Sequence, residues 1–170
     1  HIDYSDNWAK PFDVVDALAR AILYQQLSGK AAATIVARIE TAMASQSFHH
    51  RSIAKLSDLQ FRACGVSGNK TLALRDLARR EAAGEIPVSR QLQYMNNEDI
   101  IAALLPTRGI GRWTVEMMLM FRLGRPDVLP VDDLGVRKGA QLLDMQDEMY
   151  SPKMLVERGS AWSPWQTMAS

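Results

Sequence analysis

Cysteine is almost absent from this chain, with one residue, Cys64, in 170. A lone thiol forms no internal disulfide and no four-cysteine zinc or iron–sulfur site, and the three histidines lack ligand spacing. A transition-metal cofactor is therefore not expected. Long apolar runs are missing too, none approaching the roughly 20 residues of a membrane span, and the opening "HIDYSDNWAK" has no basic-then-apolar signal design. The expectation is an intracellular chain, in the nucleus of a eukaryote or the cytoplasm and nucleoid of a prokaryote. An excess of one charge is also lacking. With a net charge of +1, any grip on a polyanion must come from local geometry, not from a basic surface.

What is present is core-forming material, 47% hydrophobic residues in a length that suits about one domain of roughly 100–200 residues. Between Phe12 and Met43 the apolar residues Val14, Val15, Leu18 and Ile22, then Ala33, Ile35, Val36 and Ile39, recur at helical spacing, broken at Gln25 to Gly29. "DLQFRACGVSGNKTLALRDLARREAAG" repeats the arrangement. A short helix ends at Gly65, Val66 to Asn69 turn, and a second helix runs to Ala83. Asn97 to Leu105 is a helix with an Asn cap, acids in its first turn and Pro106 at its end. Arg112 to Leu123 is the next, "LPVDD" leads into "LGVRKGAQLL", and "WSPWQTMAS" closes the chain as the start of a further helix that is cut off. No alternating segment reads as a strand. The fold class is all-α, one domain over residues 1–170 built as one or two helical subdomains around a cleft.

Helix, glycine turn, helix occurs twice, at Leu59 to Ala83 and Asn97 to Leu123. In "LPTRGIGRWT" the glycines Gly109 and Gly111 can take backbone angles closed to other residues, while Ile110 anchors the turn in the core. Amides then face outward at a helix start, an anion site that Arg108 and Arg112 flank. An ordinary helix–helix corner fits the same letters, since a short G-x-G is weakly specific. Asp132 and Asp133 in "VDD" likewise read either as helix caps or as a carboxylate that the helix dipole keeps ionised and aimed out of the fold.

"LLPTRGIGRWTVEMMLMF", followed by "DVLPVDDLGVRKG", resembles the helix-hairpin-helix (HhH-GPD) DNA glycosylase superfamily, most of all its alkyladenine branch, the 3-methyladenine DNA glycosylase II type. "ALARAILYQQLSGKAAATIVARI" and "RACGVSGNK" resemble that branch as well, so the likeness covers most of the chain. It implies a monomer that acts on double-stranded DNA containing alkylated bases, and a base-excision repair hydrolase of N-glycosyl bonds. The hairpin would bind backbone phosphate beside the lesion, with a monovalent cation at the carbonyls of Gly109, Ile110 and Gly111 as an option and no other cofactor. Counting from Trp113 places the family's catalytic aspartate on Asp133, with Asp132 as the alternative register.

The resemblance also assigns the remaining parts. Bifunctional relatives carry an amine nucleophile where this chain has Trp113, so a monofunctional enzyme that leaves an abasic site is implied. Trp113 and Met117, one helical turn apart, would line the pocket for an electron-poor flipped base, with core packing as the alternative for the methionines around them. The wedge that fills the gap would come from "YQQLS", with Gln26 at its tip beside Gln25, Leu27 and Ser28. In the plainer reading Tyr24 and Leu27 are core and the glutamines a polar edge. Ser28 is small for a residue probing a minor groove. Gly65, Ser67, Gly68 and Lys70 in "CGVSGNK" are either a second phosphate site or a plain turn. Ser28, Met117 and the shortened end motivate a second reading, a damage-sensing DNA-binding module that excises poorly.

Overall fold

The computed structural model describes residues 12–170, and among them every regular element is helical. Eleven α-helices and one 3₁₀ turn follow in order: α1 Val14–Tyr24, α2 Gly29–Met43, α3 His50–Ile53, α4 Asp58–Ala63, α5 Gly68–Ala82, α6 Ser89–Leu92, α7 Asn97–Leu104, α8 Arg112–Phe121, α9 Leu134–Leu143, α10 Pro152–Gly159, a 3₁₀ turn at Ser160–Trp162, and α11 Gln166–Ala169. The chain divides into two compact units, residues 12–111 and Arg112–Ser170.

In the first unit α1 and α5 pack together, α2 lies against α1, and α3 and α4 lie against α5. The helices form where their caps stop them. Asp13, Ser28, Ser57, Ser67 and Asn96 each accept, on the side chain, an N–H from the first turn of the helix they open, satisfying donors that the helix itself leaves unpaired. Leu18, Ile22, Ile39, Met43, Phe48, Phe61, Leu74 and Leu77 are all but fully buried. The α2 stripe differs from the sequence expectation. Ala32, Val36, Ile39 and Met43 are buried, whereas Ala33 is exposed and Ile35 only half-buried. Val36 and Ile39 are buried as expected, and the i, i+4, i+7, i+11 stripe is completed by Ala32 and Met43, because Ala33 and Ile35 lie to either side of that face.

The turn after α4 explains Gly65. At φ +97° it takes the left-handed conformation, and the amides of Gly65 and Val66 close back on the carbonyls of Arg62 (3.0 Å) and Phe61 (3.1 Å). This paired closure ends the helix at Ala63 and sends the chain into α5, which starts at Gly68, inside the stretch expected to be turn.

In the second unit Val115, Leu119, Met120, Ala140 and Leu155 are buried. Asp144 at the end of α9 accepts from Tyr150 Oη (2.8 Å) and from Arg158 Nε (2.7 Å), and Arg158 stacks over the Trp162 ring. The final segment is stitched to the loop before α9. Thr167 Oγ1 donates to the Arg125 carbonyl at 2.6 Å, and Ser163 Oγ donates to Asp127 Oδ2 at 2.8 Å. Periodicity had not resolved α10, a two-turn helix opened by Ser151 and Pro152, and "WSPWQTMAS" forms a short turn and α11.

Candidate nucleic-acid interface and carboxylate site

The hairpin that ends the first unit is a tight turn from Thr107 to Gly111. Ile110 is buried beneath it and its amide donates to the Thr107 carbonyl at 3.1 Å. Gly109 has φ +80°, and a Cβ there would stand 3.1 Å from the Cβ of Ala73 on α5. Only glycine fits. Gly111 is different, since its φ is not left-handed and a Cβ would meet nothing within 4 Å, so of the two glycines only Gly109 uses the left-handed freedom.

The outward-facing amides are fewer than the sequence suggests. The Arg108 amide donates to Asp76 Oδ2 at 2.9 Å, and that carboxylate is itself held by Arg79 and Arg80. Burial raises the Asp76 carboxyl, but the Arg108 amide and the two guanidinium groups outweigh it and hold the group below its ordinary value. Gly109 and Gly111 are both exposed, and α8, which opens at Arg112, leaves its own first-turn amides without intrahelical acceptors. The Arg108 side chain is exposed beside them. Arg112 is committed elsewhere, its Nε donating to Glu116 Oε1 at 3.0 Å, a carboxylate almost wholly buried.

The loop between α1 and α2 lies against this hairpin. Gln25 reaches across and its Nε2 donates to the Gly109 carbonyl at 2.9 Å. Gln26 follows in the left-handed conformation at φ 57° with its side chain exposed. Tyr24 and Leu27 are 42% and 41% exposed, so neither is core. Ser28 is occupied as the cap of α2. Ser67 caps α5 in the same way, with Gly68 exposed beside it. Lys70 points inward, donating from Nζ to the carbonyls of Leu23 (2.7 Å) and Gln25 (2.8 Å), and burial pushes its ammonium below the usual lysine value. The ammonium is therefore bonded to the end of α1, at a turn for which the sequence offers a second phosphate site or a plain turn.

In the second unit Trp113 and Asp133 meet. The indole Nε1 donates to Asp133 Oδ2 at 2.7 Å, while Oδ1 caps α9 by accepting the Val136 amide at 3.0 Å. Burial raises this carboxyl, but the amide of Val136, the indole of Trp113 and the amide of Gly135 outweigh it, and the pKa lies below the ordinary aspartate value. Asp133 is half-buried, whereas Asp132 is exposed. An indole N–H lies in the ring plane, so this bond leaves the two π-faces uncommitted, and Trp113 is 44% exposed. Met117 is half-buried one turn on, and Met118 and Met120 are core. Gly135, which sequence reasoning passed over, sits so close that a Cβ would stand 3.0 Å from Asp133 Oδ1. Asp76 and Glu116 were missed as well, because nothing local distinguishes them from solvated charges. Among the described residues no cluster of histidine, cysteine and carboxylate side chains could hold a metal ion, and no helix is long and apolar enough to cross a membrane.

A hairpin with a glycine-bound turn, a carboxylate capping the next helix but one position after it, and an all-helical scaffold define a helix-hairpin-helix protein with a candidate catalytic aspartate. The chain belongs to the HhH-GPD superfamily of base excision DNA repair proteins, whose family model matches residues 19–164. It is 34% identical over 158 residues to DNA-3-methyladenine glycosylase 1 of Schizosaccharomyces pombe, covering 91% of this chain and 68% of that one. Among solved structures it resembles the 3-methyladenine DNA glycosylase of S. pombe in complex with abasic DNA, at a TM-score of 0.82 and 32% identity, covering 98% of this chain and 82% of that one. It is also similar to a DNA-3-methyladenine glycosidase of Bacillus halodurans, at a TM-score of 0.85 and 34% identity, covering 96% and 74%.

Proposed function

We propose that this chain is a monofunctional DNA-3-methyladenine glycosylase that hydrolyses the N-glycosyl bond of alkylated purines in duplex DNA. The observation that carries the reading is the 2.7 Å contact between Trp113 Nε1 and Asp133 Oδ2, which joins an ionised carboxylate to a half-exposed aromatic surface. The relatives named as 3-methyladenine glycosylases support it.

A purine alkylated at a ring nitrogen carries positive charge and its glycosidic bond is already weakened. Little acid assistance is required. The remaining task is to stabilise an oxocarbenium-like sugar and to position water, and an aspartate held ionised by three hydrogen bonds suits both. The Trp113 face attracts the cationic base by stacking and by cation–π contact. In the first unit, Gln26 is the residue proposed to fill the gap in the stack, and the Gly109 and Gly111 amides with Arg108 are proposed to bind backbone phosphate. Bond cleavage needs no cofactor in this scheme. A monovalent cation at the hairpin carbonyls would share the Gly109 oxygen with the Gln25 amide.

Incubation with methylated duplex DNA tests the reading. Release of free 3-methyladenine or 7-methylguanine is expected, and abasic sites should accumulate in equal number. Tight binding to methylated duplex without base release would replace it by the damage-sensing reading.

A further inference from the structure

We infer that Lys70 and Gln25 are positioning residues that lock the Gln26 loop to the phosphate-facing hairpin, using one face of α5 as the common platform. The inference rests on the assignment of the Gln26 loop as the wedge, and goes beyond it by naming what fixes the wedge in register.

Lys70, Ala73 and Asp76 lie three residues apart on α5 and so share a face. Each meets a different part of the interface. Lys70 Nζ donates to the carbonyls of Leu23 and Gln25 at the end of α1, where a helix leaves carbonyls unpaired. Ala73 lies under Gly109, where a Cβ would stand 3.1 Å from its own. Asp76 accepts the Arg108 amide. The Gln25 amide closes the circuit by donating to the Gly109 carbonyl.

Gln26 follows these ties in the left-handed conformation, which is uncommon for a residue other than glycine. The residue before it is pinned at two points, backbone oxygen and side-chain amide. Removing either tie frees the loop to relax, and the exposed Gln26 side chain loses its fixed direction. A phosphate-gripping hairpin and a wedge on independent loops would drift against each other. Here they are one rigid piece, so a backbone contact made by the hairpin sets where the wedge enters the stack.

The test uses Lys70→Met, which keeps the stem and removes the ammonium, and Gln25→Met, which removes the side-chain amide at a half-buried position, with the thermal midpoint of each variant measured beside it. Hydrogen exchange of the peptide spanning residues 24–29 is measured first on free protein. Both variants are expected to exchange at least tenfold faster there than wild type, while α2 and α7 keep their protection. Lys70→Arg, which retains two donors, should restore part of the protection. Unstacking of a fluorescent base beside the lesion should fall several-fold in both Met variants, with affinity for undamaged duplex within about twofold of wild type, and the deficit should shrink when the lesion is already mismatched. Unchanged exchange at 24–29 in both variants overturns the inference. So does a Lys70→Met variant that weakens all duplexes alike and lowers the salt slope by about one, since that marks a phosphate contact. If wild type itself releases no base, the glycosylase reading fails, and the exchange result still stands or falls alone.

Discussion

At Asp133 one carboxylate performs two tasks that a sequence reader must otherwise choose between. Oδ1 caps α9 and Oδ2 meets the Trp113 indole, so the group that closes the helix is also the group kept ionised next to an aromatic face. Replacing Asp133 by Asn should reduce base release by orders of magnitude while duplex affinity stays within a few-fold, because only charge stabilisation in the transition state is lost. An active Asn variant, or loss of activity with Asp132→Asn alone, would move the assignment. The pH dependence follows from the same bonds. The folded carboxyl lies below the unfolded value of about 3.9, so its contribution to stability is complete above that value and disappears as pH falls through the folded one. The acidic limb of single-turnover base release should accordingly lie below pH 3.9 or be hidden by unfolding. Trp113→Phe should move it upward, since one donor to the carboxylate is gone. At the same position the absence of an amine predicts that borohydride traps no covalent protein–DNA complex. A trapped species surviving denaturation would mark a strand-cleaving enzyme.

Elements show why the two hairpin glycines are not equivalent. Gly109 is required by the protein itself, through its left-handed backbone and its contact with Ala73, so Gly109→Ala should destabilise by about 1–3 kcal/mol, read as a lowered denaturation midpoint. Gly111 has ordinary backbone angles and open space, and Gly111→Ala should leave stability within about 0.5 kcal/mol. Its effect belongs to the ligand. Binding to damaged and undamaged duplex should weaken together, by fluorescence anisotropy, because a methyl group there blocks amides that meet phosphate and read no base. A loss confined to one lesion would put Gly111 in the base pocket. The loop between α1 and α2 obeys the same division. Gln26 is exposed, so Gln26→Ala should leave the thermal midpoint nearly unchanged while base unstacking falls, whereas Gln25 carries the structural tie to Gly109.

For the whole molecule the small net charge of +1 becomes informative once the hairpin is in view. Around the hairpin, Lys70, Arg79, Arg80 and Arg112 hold partners inside the protein while the Arg108 side chain is exposed, so the grip on phosphate there falls largely to backbone amides. Backbone amides bind phosphate without bringing a full charge. The plot of log affinity against log salt should therefore be shallow, with a slope no steeper than about −4, where a lysine-rich binder making 6–10 contacts falls off far more steeply. A slope near −8 would point to a basic surface that this arrangement does not provide.

By itself the sequence determined the all-helical class, the break at Gln25, the hairpin at Gly109 and the carboxylate at the start of α9, since periodicity, caps and turn residues are local properties of neighbouring letters. It also carried the likeness that named the family. It did not determine which hairpin amides are free, because Asp76 lies 32 residues from the Arg108 amide it accepts. Lys70 is letter for letter a helix-start lysine near two glycines and a serine, a fair phosphate ligand, yet its ammonium turns inward to carbonyls 45 and 47 residues back along the chain. Gln25 and Gln26 are the same residue type side by side, one bonded to a carbonyl 84 residues away and the other exposed. Only packing α1 against α5 and seating the hairpin on Ala73 decides between such roles, because a hydrogen bond is assigned by where partners meet in space and not by how close they stand in the chain.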